Sequence, residues 1–247
     1  TALRTILATT DNVIGGTRAG LPATLQVFAV RGVNVTDCDS ADLTPELIEY
    51  DNRGFNTTFG DVVDLPATLV EYRNEGLNTV GGNVSDLPAI LQSLTATGMT
   101  TITGDVINLP SALETLNVGG LNTISGDYAN IPATASFIAA TGSNTLSGDL
   151  ADLPAVAEFV NLIGASSASY TPGRDWSSLQ RLLRFTGTGT ALSSGEVDSL
   201  LIDLAATVGV PTSEQVIDLR GGNGARTTAS DAAVVTLQTA GWSVFTN

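Results

Sequence analysis

The sequence predicts an α/β solenoid: parallel coils stacked over residues 1–189, closed by an α/β segment over residues 190–247. Three observations carry this. A Leu-Pro pair returns every twenty-two residues, at Leu21-Pro22, Leu65-Pro66, Leu87-Pro88, Leu109-Pro110, Ile131-Pro132 and Leu153-Pro154, with Leu43-Thr44 in register. Apolar residues keep the same step three positions after the Pro (Leu25, Leu47, Leu69, Leu91, Leu113, Ala135, Ala157, Leu179) and six after it (Phe28 to Val160 and Leu182). Glycine ten positions on and asparagine twelve on repeat likewise, through Gly120 and Asn122, with Thr100 as the exception. A step this regular means coils that bury their apolar edges against one another.

One coil, read from Leu109, justifies each element. Leu116 and Val118 stand two apart, with Thr115 and Asn117 between and beside them, so they form a short strand with one buried face. Gly120 permits the turn that follows. Asn122 sends its amide inward to backbone groups freed by that turn, and the other asparagines do so in their own coils. Leu121 and Ile124 complete the apolar set, and Gly126-Asp127 marks the next corner. Pro110 forbids a continuous helix through the return segment but suits the first position of a single turn. Eight to nine such coils are expected.

The run Leu113-x-x-Leu116-x-Val118-x-x-Leu121-x-x-Ile124 resembles a leucine-rich repeat, and the Leu-Pro-x-x-Leu lead-in is similar to the bacterial, short-coil branch of that family. The resemblance covers about residues 1–190. It implies a leucine-rich-repeat-like parallel β superhelix with a mostly non-helical convex side. The chain departs from the family at Ala135 and Ala157, and at Asn52, Asn74 and Arg184, which occupy a normally apolar column. Tight packing is therefore not expected of the second, third and last coils.

After Gly189 the grammar changes. Ser193-x-x-Glu196 is a capping box opening a helix over Glu196–Ala206, with Val197, Leu200, Leu201 and Leu204 on one face. Val216–Leu219 reads as a strand, Thr228-x-x-Asp231 opens a second helix through about Thr239, and Trp242–Phe245 follows Gly241 as a last strand. Solenoids need their final coil sealed, so this segment reads as a cap. It resembles the closing segment of bacterial and phage surface or adhesion proteins that carry leucine-rich repeats.

Composition narrows function. A net charge of −15 argues against nucleic acid and anionic membranes. No run is long enough to insert in a membrane. The absence of Lys and His removes Schiff-base, Ser-His-Asp and Cys-His chemistry and histidine-ligated zinc, so an enzyme is not expected. Cys38, alone in its kind, reads as a small buried residue.

Outward residues of the inner strands are the candidate contact surface. They run from charged (Glu49, Asp51, Arg53, Glu71, Arg73, Glu75) through small and polar (Thr115, Asn117) to apolar (Phe137, Phe159, Ile163, Leu183, Phe185). Asp51 should lie beside Arg73, and Arg53 beside Glu75. A second surface is the corner ladder Asp61, Asp105, Asp127 and Asp149, which suits either capping of turn amides or calcium, the only cofactor weighed. Thr79, Thr101, Thr123 and Thr145, with Thr103, Ser125 and Ser147, form two ranks of hydroxyls, a solvated β face or an ice-binding one. The expected function is a non-catalytic recognition or adhesion module, extracellular, on a cell surface or on a virion, binding a protein or glycan. The acidic charge should steer a basic partner. The alternatives are a self-associating structural component of a fibre and a carbohydrate-active β-helix enzyme using Glu49, Asp51, Glu71 and Glu75.

Overall fold

The computed structural model describes residues 3–8, 21–30, 37–53, 57–163, 167–186, 192–208 and 215–247. It is a parallel β-solenoid of about seven turns with few helices, and its contacts divide it into two compact units, Thr1–Ile124 and Ser125–Asn247. Gly32, Asn34, Asn56 and the Cys38 side chain lie outside the described residues, as do residues 9–20 and 187–191 of the first and last expected coils.

In the first unit the chain alternates between two sheets. Strands β1 (Thr5–Ala8), β2 (Val27–Val30), β3 (Asp37–Asp39), β4 (Glu49–Asn52), β5 (Thr57–Asp61), β6 (Glu71–Asn74), β7 (Thr79–Asn83), β8 (Ser93–Ala96), β9 (Thr101–Asp105) and β10 (Thr115–Val118) follow in order. β1, β2, β4, β6, β8 and β10 pair in parallel as one sheet; β3, β5, β7 and β9 make the other. In the first sheet equivalent residues face each other: Tyr50 pairs with Tyr72, and Leu94 with Leu116. The second sheet is staggered by two residues, so Gly81 pairs with Thr101 and Asn83 with Thr103. Equivalent threonines are therefore not side by side. The stagger instead sets the two ranks against each other, as where Ser125 pairs with Thr145.

The apolar columns are inside. Leu25, Leu47, Leu69, Leu91 and Leu113 are buried, as are Phe28, Tyr50, Tyr72, Leu94 and Leu116. Each Leu-Pro-x-x-Leu lead-in closes as a turn, the N–H of Leu69, Leu91 or Leu113 donating to the preceding Pro carbonyl at 3.0 Å. Thr44 serves in place of Pro, accepting the Leu47 N–H at 3.1 Å. Leu121 departs from expectation: it is exposed, because Asn122 takes the inward position. Asn122 Oδ1 accepts the Ile102 N–H of the preceding coil at 2.7 Å, and Nδ2 donates to the carbonyls of Ala96 and Gly119 at 2.8 Å. Asn78 does the same for the Thr58 N–H at 2.8 Å. The side-chain amide thus extends the strand ladder where the chain is still turning.

Asn52 and Asn74, in their apolar column, do not loosen the packing. Both are buried two residues after a tyrosine, on the same strand face. Asn74 Nδ2 donates to the Tyr72 hydroxyl at 2.9 Å, while Asn52 Nδ2 and the Tyr50 hydroxyl meet Thr58 Oγ1 at 2.5 and 2.9 Å. The asparagines therefore supply partners within a core that also stacks Phe28, Tyr50 and Tyr72, with centroids 6.0 and 5.5 Å apart.

The second unit holds β11 (Thr123–Asp127, paired from Ser125), β12 (Phe137–Ala140), β13 (Thr145–Asp149), β14 (Phe159–Ile163), β15 (Ser167–Ser169) and β16 (Leu182–Thr186). Helix α1 (Ser194–Thr207), β17 (Gln215–Asp218), α2 (Asp231–Thr239) and β18 (Trp242–Phe245) follow. β12, β14, β16, β17 and β18 pair in parallel. Ser193 and Glu196 form the expected capping box, and Val197, Leu200, Leu201 and Leu204 face inward. Buried Asp198 fastens α1 to the start of α2, accepting from the Thr227 N–H at 2.9 Å and hydroxyl at 2.6 Å, and from Ser230 Oγ at 2.5 Å.

Register changes in β16. Gln180 and Arg181 both donate to the Glu158 carbonyl, and the next residue, Leu182, pairs with Phe159. The extra residue moves Leu183 and Phe185 into line with Val160 and Leu162, on the buried face. Leu183 and Phe185, expected outside, are both fully buried. Arg184, expected inside, faces out beside Asn161.

Candidate recognition face

The outward side of the first unit's leading sheet carries its charges as within-strand pairs. Arg53 donates to both oxygens of Asp51 at 2.7 Å, a fork that keeps its guanidinium protonated still higher than usual. Asp51 is itself buried. Asp51 and Arg73 are neighbours across the strands, as expected, while Arg73 lies 3.9 Å from Glu71 and 4.0 Å from Glu75. Such half-exposed pairs contribute at most about 1 kcal/mol each. Thr115 and Asn117 follow, half-buried. A groove of about 410 Å³ opens where β4 and β6 begin, lined by Ile48, Val70 and Ile90 with Gln26, Glu46 and Thr68.

The second unit carries an aromatic pair. Phe137 and Phe159 are neighbours in register, with ring centroids 4.2 Å apart and planes within 3°. Both are half-buried, as is Ile163 farther along β14. The Arg181 guanidinium lies over Phe159, 5.8 Å from its centroid. Beyond them Arg220 donates to both oxygens of Asp218 at 2.9 Å and covers the Phe245 ring at 4.8 Å. Arg184 reaches the same Asp218 carboxylate at 3.4 Å. The Arg220 bonds, followed by the charge of both guanidiniums, hold Asp218 below the usual carboxylate range despite its burial.

The structure thus brings together Phe137 and Phe159, sets Ile163 four residues farther along β14, and places Arg73 and Glu75 with Thr115 and Asn117 in the other unit. It withdraws Phe185 into the core. The outward columns missed Arg184 because they assumed an unbroken twenty-two-residue step; Arg181 stands in an outward column, five after Trp176, but was passed over among apolar neighbours, and Arg220 lies in the closing segment beyond the columns. Arg184 was itself the signal, since a guanidinium in an apolar column marks either a defect or a shift in register.

The corner acids are caps. Oδ1 of Asp61, Asp105, Asp127 and Asp149 accepts the N–H two residues on, at 3.0, 3.0, 2.9 and 2.8 Å, and each opens a single helical turn. Among the described residues no three acidic, Cys or His side chains converge as a metal would require. No helix among them is long and apolar enough to cross a membrane.

No family model and no curated protein matches the sequence. Among solved structures, the chain is similar to a plant peptide hormone receptor, RGFR1, in complex with RGF2, at 14% identity and a TM-score of 0.46. The alignment covers 87% of this chain and 47% of the receptor chain, so the protein spans about half of that neighbour's length.

Proposed function

We propose that the protein is a non-catalytic recognition or adhesion module that binds a protein or glycan partner through the outward side of its leading sheet. The carrying observation is the Phe137–Phe159 stack, two large apolar rings held in register on a solvent-facing strand pair. Aromatic anchors of this kind can contribute about 2 kcal/mol or more each to association, well above the exposed ion pairs of the other unit. Three of the four acids that a glycosidase would use are engaged otherwise, Asp51 with Arg53 and the Glu71 and Glu75 pair around Arg73. An extracellular, cell-surface or virion setting is proposed for this module, with the repeats resembling the bacterial Leu-Pro-x-x-Leu branch. Residues 190–247 are proposed to close the solenoid. A protein and glycan array probed with the whole chain, then with Phe137→Ser/Phe159→Ser, tests the role. Loss of the captured partner in the double variant is expected; full retention places recognition elsewhere.

Self-association is a second proposal, resting on a separate surface. Leu77, Met99 and Leu121 stand exposed, one per coil, as an apolar ridge in the first unit. Sedimentation of the wild type against Met99→Ser/Leu121→Ser tests it; a monomer in both ends it.

A further inference from the structure

The solvent side of the aromatic pair decides which partner class it suits. Parallel rings with centroids 4.2 Å apart cannot lie side by side in one plane, so they meet face to face. The second face of Phe159 lies under Arg181. Ring edges, not faces, are therefore what Phe159 turns outward. A pyranose stacks its C–H groups on ring faces; a ridge of edges suits the side chains of another protein.

Next to this ridge is an incompletely used guanidinium. Arg184 pairs in register with Asn161, which is two residues along β14 from Phe159. Its Nε sits 3.4 Å from Asp218 Oδ2 without forming a hydrogen bond, while Arg220 holds both oxygens of that carboxylate. Two guanidiniums thus share one carboxylate, leaving a local positive excess on a chain of net charge −15. Among the described residues Arg184 has no other ion-pair partner, and its terminal amino groups hold no hydrogen bond to them. The guanidinium and the Phe159 ring lie on adjacent strands, two residues apart along them.

We infer that this face of the second unit binds an extended acidic segment of a protein partner. A Glu or Asp carboxylate takes the terminal amino groups of Arg184, and an apolar side chain two residues away packs on the ring edges. Residues two apart in an extended segment are about 6.6 Å apart, the same step that separates Phe159 from Asn161 along β14. The inference rests on the recognition role proposed above and narrows its partner from protein or glycan to protein.

The probes are short peptides of Gly-Ser background carrying Leu-Thr-Glu, amidated so that no terminal carboxylate contributes, with Leu-Thr-Gln counterparts. Titrated into the full chain, the Glu peptide should bind at least tenfold more tightly than the Gln peptide. Arg184→Gln should erase that preference at an unchanged melting temperature. Arg184→Lys, which keeps a charge for Asp218 but lacks the fork, should lose most of it and serves if the Gln variant unfolds. Equal binding of the two peptides, binding of neither, or a preference that survives Arg184→Gln overturns the inference. An array-selected partner that needs Phe137 and Phe159 but ignores Arg184 leaves the recognition role standing and sinks the acidic-segment assignment. One that ignores all three removes both, as does an oligosaccharide taken up at the aromatic pair for the acidic segment alone.

Discussion

Asn122 shows how much one side chain can determine. Its amide meets the Ile102 N–H, the Ala96 and Gly119 carbonyls and Thr100 Oγ1, all in buried surroundings. Asn122→Ala should destabilise the protein by about 1–3 kcal/mol, because buried backbone groups then lack partners. Urea titration checks this, and a near-neutral result would refute the ladder. Asp198 makes a second residue-scale case. Burial opposes its ionisation, yet the bonds from Ser230 and Thr227 together hold its carboxyl below the usual range. A carboxyl depressed in the folded state stabilises above its unfolded pKa and loses that contribution as pH falls through its folded one. Stability should therefore decline below about pH 4, and Asp198→Asn should both lower stability at neutral pH and flatten that acid limb. An unchanged limb in a pH series of urea melts would assign the decline to other carboxylates.

At the scale of the element, the turn glycines Gly98 and Gly120 leave no room for a side chain. Gly98 has φ +78°, and a Cβ there would strike the Gly76 carbonyl oxygen of the coil before. Gly98→Ala should cost about 1–2 kcal/mol for the left-handed conformation alone, with the backbone clash added to it. A thermal melt equal to wild type would mean that the coils are not stacked at this contact. Strand positions and corners were legible because their causes are local: Leu113, Leu116 and Val118 alternate, Gly120 turns, and Ser193 with Glu196 caps. The inward turn of Asn122 was legible too, but not that it displaces Leu121 outward, since both compete for one position. The reversal of Arg184 and Phe185 hinges on one residue inserted near Arg181, and only paired strands reveal which neighbour each then faces. The Tyr72–Asn74 pair could have been read from two polar groups sharing a buried face, each needing a partner. The Phe137–Phe159 site was half legible: the column predicted adjacency, while the edge-on presentation depends on side-chain rotation that residue spacing does not set.

For the whole chain, the proposed closing role of residues 190–247 has a direct consequence. Leu183 and Phe185 are fully buried in β16, whose far edge pairs with β17. Removal of residues 190–247 should uncover that edge and cause aggregation or loss of cooperative unfolding, followed by light scattering and urea melts. A truncated chain that stays monomeric and melts as before would make the segment an independent domain.

The asparagine bonds also give the molecule a direction. Asn78 completes the coil that contains Thr58, and Asn122 completes the one that contains Ile102; in each case the later coil supplies what the earlier one lacks. A chain emerging from the ribosome N-terminus first therefore repairs each of these two coils with the one that follows. Growth from the other end would instead strand the Asn78 and Asn122 amides in the core at those two steps. Assembly that tracks synthesis is thus built into the order of the residues. Chains arrested just before and just after Asn122 should differ in amide exchange at Ile102, open in the first and protected in the second.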